Sequence, residues 1–291
     1  AFETAEPGMS FNFGRDEESL RNACTEVVSA DDSDKCNLGT VWLNRIRDPA
    51  HMREIVRLGT IFLLCGGVYS HVPTDEIREV GNRNNRIGLG LGGIAEWLQA
   101  RGHPYKVVAA LHELLAIYRD ESDRASFEWA ERLNVSPPAG RRSIAPNGTI
   151  GILAETTTSI EPLFCKAYKR RYYDGGQWKH QVVVDGATKR LIDAGIDPKK
   201  IRDAYDLEFE QRVKFQADVQ TYVDMAISST CNMPAWGTTG NNAGAVAANA
   251  KTLLKYAKRL RGFTCYPDQA RGGQPLERVD DLAYALQREG V

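Results

Sequence analysis

Apolar residues recur at helical spacing over several long stretches and cluster or alternate in short runs between them, which predicts a mixed α/β chain. From Pro49 to His71, the positions Met52, Ile55, Val56, Ile61, Phe62 and Leu64 predict a core helix, with Cys65 inside it as packing. Val107, Leu111, Leu114, Leu115 and Tyr118 predict a second helix over 104–134, ended by Pro137-Pro138-Ala139-Gly140. Residues 187–234 read mostly as helix, and a further helix over 242–260 carries Val246, Leu253, Leu254, Tyr256, Ala257 and Leu260. Short strands are expected where Met9, Phe11 and Phe13 alternate after Pro7-Gly8, over 38–43, and over 142–145. Gly262-Phe263-Thr264-Cys265-Tyr266-Pro267-Asp268 forms another, leading into the polar tail Arg271-Gly272-Gly273-Gln274-Pro275-Leu276.

Composition narrows the class. A chain of 291 residues with 42% hydrophobic content fits one large or two ordinary domains. Its net charge of −1 provides no broad footprint for nucleic acid or an anionic membrane. No apolar run is long enough for a membrane span, and the acidic start (Glu3, Glu6, Arg15, Asp16, Glu17, Glu18) is no signal peptide. Six cysteines with no Cys-x-x-Cys pair fit neither a disulfide scaffold nor a zinc ribbon, so reduced thiols and a cytoplasmic location are expected. No metal site is expected.

The candidate chemistry begins at Asn22-Ala23-Cys24-Thr25-Glu26. In an extended segment alternate side chains share one side, so an amide, a one-electron-capable thiol and a carboxylate base would converge. The polar turn 30–35 separates this segment from Cys36-Asn37-Leu38-Gly39, like the arms of a hairpin loop. Alone, Cys24 also reads as a small buried hydrophobe. Further on, Arg142-Ser143-Ile144 runs into Ala145-Pro146-Asn147-Gly148-Thr149-Ile150-Gly151, a turn opening onto a helix, whose free N–H groups suit phosphate. It lacks the Gly-Lys-Ser/Thr of nucleotide hydrolases, and it also reads as an ordinary strand-to-helix turn. Gly88, Gly90 and Gly93 match the dinucleotide fingerprint, with Glu113 at the usual distance, but the residues ahead of them form no strand. Close backbone packing is the better reading of these glycines, with a Rossmann oxidoreductase as the alternative. Lys166, Tyr168, Lys169, Arg170, Arg171, Tyr172, Tyr173 and Trp178 interleave charge with aromatics, which reads as a surface strand pair rather than a nucleic-acid site.

Taken together and in order, these motifs resemble the large subunits of ribonucleotide reductases, from about residue 5 to about residue 279. Asn-x-Cys-x-Glu is that family's radical loop. Ala145 to Ile150 resemble its phosphate motif Ala-Pro-Thr-Gly-Thr-Ile, with Asn147 at a usual Thr. Ser159-Ile160-Glu161-Pro162 resembles its Gly-Ile-Glu-Pro segment beside the nucleotide. Glu161 fits a structural role there at least as well as a catalytic one. Residues 262–268 are similar to Gly-Ile-Thr-Val-Tyr-Arg-Asp-Gly of the adenosylcobalamin-dependent class II enzymes, and the tyrosine pair of class I is absent.

The resemblance implies a fold: the second half of a ten-stranded α/β barrel over 1–279, with a central cysteine finger loop, followed by a tail over 280–291. It implies ribonucleotide reduction for DNA precursor synthesis, with adenosylcobalamin as cofactor or, in the alternative, a radical from a metal-containing small subunit. Cys24 would become the thiyl radical, Glu26 the base, Asn22 the orienting amide and Cys36 a reductant. Implied partners are a ribonucleoside di- or triphosphate, an N-terminal half of the reductase, an external thiol reductant such as thioredoxin, and a second copy when complete; nucleic acid and membrane are not among them. Since the matched motifs belong to the second half-barrel, the chain is expected to need the first half for activity. A non-catalytic complementation module is the reading from a different class.

Overall fold

A computed structural model describes residues 1–14, 17–270 and 276–289. The expected polar tail at 271–275, with Arg15 and Asp16, lies outside the described residues. The chain opens with three two-residue strands, β1 (Met9–Ser10), β2 (Leu20–Arg21) and β3 (Val28–Ser29). β2 and β3 pair antiparallel, which makes 22–27 a hairpin tip.

β4 (Asn37–Trp42) leads into α1 (Pro49–Val68) and α2 (Asp75–Asn84). The Asp48 side chain caps α1 by accepting from His51 N at 2.8 Å, and Pro49 fills the first helical position, where no N–H is needed. Thr74 caps α2, and Asn85 ends it in the left-handed region at φ 41°. The chain then returns as β5 (Ile87–Gly92), parallel to β4 and in register from Asn37↔Ile87 to Trp42↔Gly92.

Every residue of β5 is buried although half of them are glycine. A Cβ at Gly88 would sit 2.4 Å from Leu38 Cδ2, at Gly92 2.4 Å from Trp42 Cζ3, and at Gly90 2.7 Å from the Ser143 carbonyl oxygen. The glycines therefore make room for the neighbouring strands, and the first two of the fingerprint, Gly88 and Gly90, lie within a strand rather than in a phosphate-binding turn, which removes the dinucleotide reading. Gly90→Ala should cost about 1–3 kcal/mol, since its obstacle is backbone that cannot rotate away. Urea denaturation would measure this, and an unchanged midpoint would contradict the packing.

α3 (Ile94–Ala100) and α4 (Ala109–Leu133) follow. α4 buries the predicted Leu111, Leu114, Leu115 and Tyr118 in the main core with Met52, Val56 and Leu64 of α1. Next, 142–144 runs as a third parallel segment, bridged through Leu89↔Arg142 and Ile144↔Ile227, and ends in α5 (Gly148–Leu153). The basic-aromatic stretch is a hairpin, β6 (Ala167–Asp174) and β7 (Gln177–Val184), turned by Gly175 and Gly176 at φ 57° and 79°.

The helix expected over 187–234 is interrupted: α6 (Gly186–Asp193), two short 3₁₀ turns, α7 (Phe209–Gln220), then β8 (Thr230–Met233). Gly195 at φ 84° and Pro198 break the first part. Beyond α7 the chain joins the sheet, with Ser228 N donating to Ile144 O at 2.9 Å. α8 (Ala243–Tyr256) leads to β9 (Gly262–Pro267), parallel to β8 and flanked by antiparallel β1. β10 (Leu276–Arg278) adds to β6, and α9 (Leu282–Glu289), within the expected tail, packs Ala285 on Ala167 and Val184.

Parallel segments thus succeed one another in chain order: β4, β5, 142–144, 227–233 and β9. The cysteine hairpin is pinned beside the middle segments, through Ser143 and Ala226. Among the described residues no helix is long and apolar enough to cross a membrane.

Candidate active site

The Asn22–Glu26 segment is a tight turn, not the extended piece expected from its alternation. Thr25, a β-branched residue, adopts φ 68°, and its N–H donates to Asn22 O at 3.0 Å. Convergence is achieved by hydrogen bonding. Asn22 Oδ1 accepts from Val27 N at 3.1 Å, which fixes the amide so that Nδ2 donates to Glu26 Oε1 at 2.7 Å. Glu26 is buried, and its second oxygen, Oε2, has no protein partner. Its backbone oxygen accepts from Ala226 N and Ser143 Oγ, both at 3.0 Å. Cys24 stands exposed at the tip.

Partial burial, and secondarily the Glu26 carboxylate, raise the Cys24 thiol above its ordinary range. The group is therefore a neutral S–H at neutral pH, suited to giving up a hydrogen atom rather than to acting as a thiolate nucleophile. Cys36 is pushed up to about 12 by burial, against the opposing pull of Arg86. It packs with Val27, Val28, Met225 and Ala226, so the structure places it against the root of the cysteine hairpin. Gly88 leaves it room: a Cβ there would lie 3.2 Å from Cys36 Sγ.

The turn at 30–35 does more than separate two segments. Asp34 is buried and accepts from Arg86 Nε at 2.8 Å, from Ser29 Oγ at 2.8 Å and from Asn84 Nδ2 at 2.9 Å. β3, the Cys36 approach and the start of β5 are thereby tied together. Sequence reasoning missed Asp34, Arg86 and Ser143. The one available signal was Arg86 itself, a charge directly before a buried apolar-glycine strand.

Ser143 also joins the expected phosphate segment to this hairpin. Ala145 is half-buried; Pro146, Gly148, Thr149 and Ile150 are exposed. Asn147 is buried at the N-cap of α5, but its side chain makes no cap bond to the helix. Its amide donates to Thr40 Oγ1 at 3.2 Å and accepts from Ser159 N at 2.7 Å, so it braces the turn against β4 and the following loop. Gly148 faces open space. Nearby lies a cavity of about 430 Å³, lined by Gly148, Thr157, Glu161, Pro162, Thr230 and Asn232 among others. Glu161 accepts from Thr230 N at 2.6 Å and from Thr158 Oγ1 at 3.3 Å, so its carboxylate holds the start of β8. Burial raises its pKa, and buried Arg212 counters that.

The barrel-domain model of ribonucleotide reductase matches residues 13–136 and 139–266, and the chain belongs to that family. A Mycobacterium phage D29 protein, named for adenosylcobalamin-dependent ribonucleoside-triphosphate reductase activity, is 28% identical over 335 aligned positions, covering 98% of this chain and 47% of the relative. A vitamin B12-dependent ribonucleoside-diphosphate reductase of Mycobacterium tuberculosis is 27% identical, covering 90% of this chain and 43% of that protein. The chain thus spans less than half the length of these relatives. In fold it is similar to a B-12-dependent class II reductase, with a TM-score of 0.77 and 17% identity over 99% of this chain and 46% of the other. It also resembles the class Id alpha subunit of Actinobacillus ureae, with a TM-score of 0.63 and 17% identity, covering 92% and 59%. The expected fold, the second half of the reductase α/β barrel with a cysteine finger, is the observed one.

Proposed function

We propose that this chain is the catalytic half of an adenosylcobalamin-dependent ribonucleotide reductase, acting on a ribonucleoside di- or triphosphate together with an N-terminal half. The carrying observation is the hairpin in which the Asn22 amide holds Glu26 beneath an exposed, protonated Cys24 thiol.

The exposed Cys24 tip suits a radical source approaching from outside the loop. Adenosylcobalamin, when bound, supplies the radical chemistry that oxidises Cys24. The Cys24 sulfur then takes the ribose 3′-hydrogen. Glu26 accepts the 3′-hydroxyl proton, and the 2′-hydroxyl leaves as water. Cys36 and a second thiol, outside this chain, deliver two electrons and two protons, one proton completing the departing water and one the new C2′–H bond, and become a disulfide; Cys24 then returns its hydrogen to C3′ and Glu26 its proton to the 3′-oxygen. Ala145, Pro146, Asn147, Gly148, Thr149 and Ile150 form the phosphate turn, in which the first-turn N–H groups of Gly148, Thr149 and Ile150 receive the phosphates. Glu161 and Pro162 wall the nucleotide cavity. Six free thiols fit a reducing cytoplasm and an external dithiol reductant such as thioredoxin. The complete enzyme would pair as a homodimer.

The test is deoxynucleotide formation by this chain mixed with a matching N-terminal half, with and without adenosylcobalamin. Cobalamin-dependent product supports the reading. Product only with a metal-loaded small subunit would move the chain to class I, an arm motivated by its similarity to the class Id alpha subunit. Glu26→Gln keeps the Asn22 contact but removes the base. We expect nucleotide binding to persist and reduction to fall about 10²–10⁴-fold; full turnover would remove Glu26 from the mechanism.

A further inference from the structure

A second cavity of about 520 Å³ lies beside the candidate nucleotide cavity, between the end of α3, the 101–105 loop and the 195–202 segment. Pro162 lines both cavities, so the two are neighbours. The apolar part of the second cavity's lining comes from Leu98, Pro104, Tyr105, Ile196 and Leu207. Tyr105 is fixed in place: its hydroxyl donates to Ile160 O at 2.5 Å, and its ring lies 4.2 Å from that of Phe215, tilted by 42°.

The polar groups are gathered at the rim. His103, Lys200 and Arg202 stand there with a single carboxylate, Asp197, which accepts from Lys199 N. Lys200 and Arg202 form no salt bridge with the described residues. Arg202 is positioned by a reciprocal pair with the Gln99 side chain, its N–H donating at 2.6 Å and its carbonyl accepting at 3.1 Å. A pocket of this size, lined in part by apolar side chains and with a few convergent cations at the mouth, has the form of a small-molecule site. The flat wall of Tyr105 and Pro104 favours a ring, and the excess positive charge favours one anionic group upon it.

We infer that this cavity binds a flat aromatic anion, with its ring between Leu98, Tyr105 and Leu207 and its acid group on Lys200 and Arg202. The cavity neither belongs to the nucleotide site nor depends on the proposed reductase chemistry.

The probe is 2-naphthoate, titrated calorimetrically into the intact chain, with uncharged 2-naphthamide as its neutral counterpart. Saturable binding at one site is expected, weakened about ten-fold or more for the amide and in the double variant Lys200→Glu with Arg202→Glu. Both substitutions lie on exposed side chains, and circular dichroism checks that the variant is folded. Leu207→Trp, which fills the pocket, should abolish binding. The inference is overturned by no saturable heat at millimolar probe, by equal affinity for acid and amide, or by affinity unchanged in the charge-reversed variant.

Discussion

Replacing Cys24 by Ser is expected to abolish ribonucleotide reduction, a loss of more than about 10³-fold, while leaving the fold unchanged. The hydroxyl is nearly isosteric, but its O–H bond is too strong to yield a radical that abstracts carbon-bound hydrogen reversibly. Structural cost should be small because Cys24 is exposed at a hairpin tip whose shape is set by its neighbours. The Asn22 amide, the Thr25 backbone and the Glu26 carbonyl make those bonds. A shift within about 0.5 kcal/mol in urea unfolding is expected, as for surface substitutions generally. Appreciable turnover by the variant, in a mixture that supports the parent chain, would remove Cys24 from the centre of the chemistry.

The largest effect on stability is expected at Arg86→Met. Arg86 and Asp34 have side chains only 5% and 6% exposed, and they meet at 2.8 Å. Removing the guanidinium leaves a buried carboxylate held by the Ser29 hydroxyl, the Asn84 amide and the Lys35 N–H, with no cation against it. Breaking a buried pair from one side typically costs about 3–5 kcal/mol, because the other charge stays desolvated and uncompensated. Combining the change with Asp34→Asn should recover much of that loss, since a neutral amide tolerates the site. Denaturant unfolding of both variants measures this. A single-variant loss below about 1 kcal/mol would mean that water reaches Asp34.

The cysteine motif was legible because its residues lie close together in sequence, and so were the helices with an uninterrupted apolar stripe, such as α1 and α4. The geometry of the motif was not legible. Nothing in Asn22 to Glu26 signals that a β-branched Thr25 will take a left-handed conformation; that conformation is imposed by the ladder of β2 and β3. The glycine-rich β5 escaped strand recognition for a related reason. Glycine has poor strand propensity, and only its neighbours in space, Leu38, Trp42 and the Ser143 carbonyl, explain its use. The overrun of helix across 187–234 came from a pattern that buried polar residues blur. Arg212, Gln216 and Gln220 face inward on α7 and hydrogen-bond to the backbone of the sheet or of the turn beyond it. Asp34 and Arg86 were invisible as a pair because charged residues are ordinarily assigned to the surface.

The manner in which the hairpin is held has a consequence for the order of assembly. Its own ladder is local, yet Glu26 is fastened by Ser143 and Ala226, and a Cβ on Gly262 would lie 2.9 Å from Thr25 Oγ1. Contacts of such long sequence separation form late, after the loops between them have closed. Cys24 precedes these partners in the chain, so during synthesis it would stay unplaced until β9 is laid down. Its sulfur gains a defined position only when nearly all of the parallel segments have assembled, so radical competence is among the last properties the folding chain acquires.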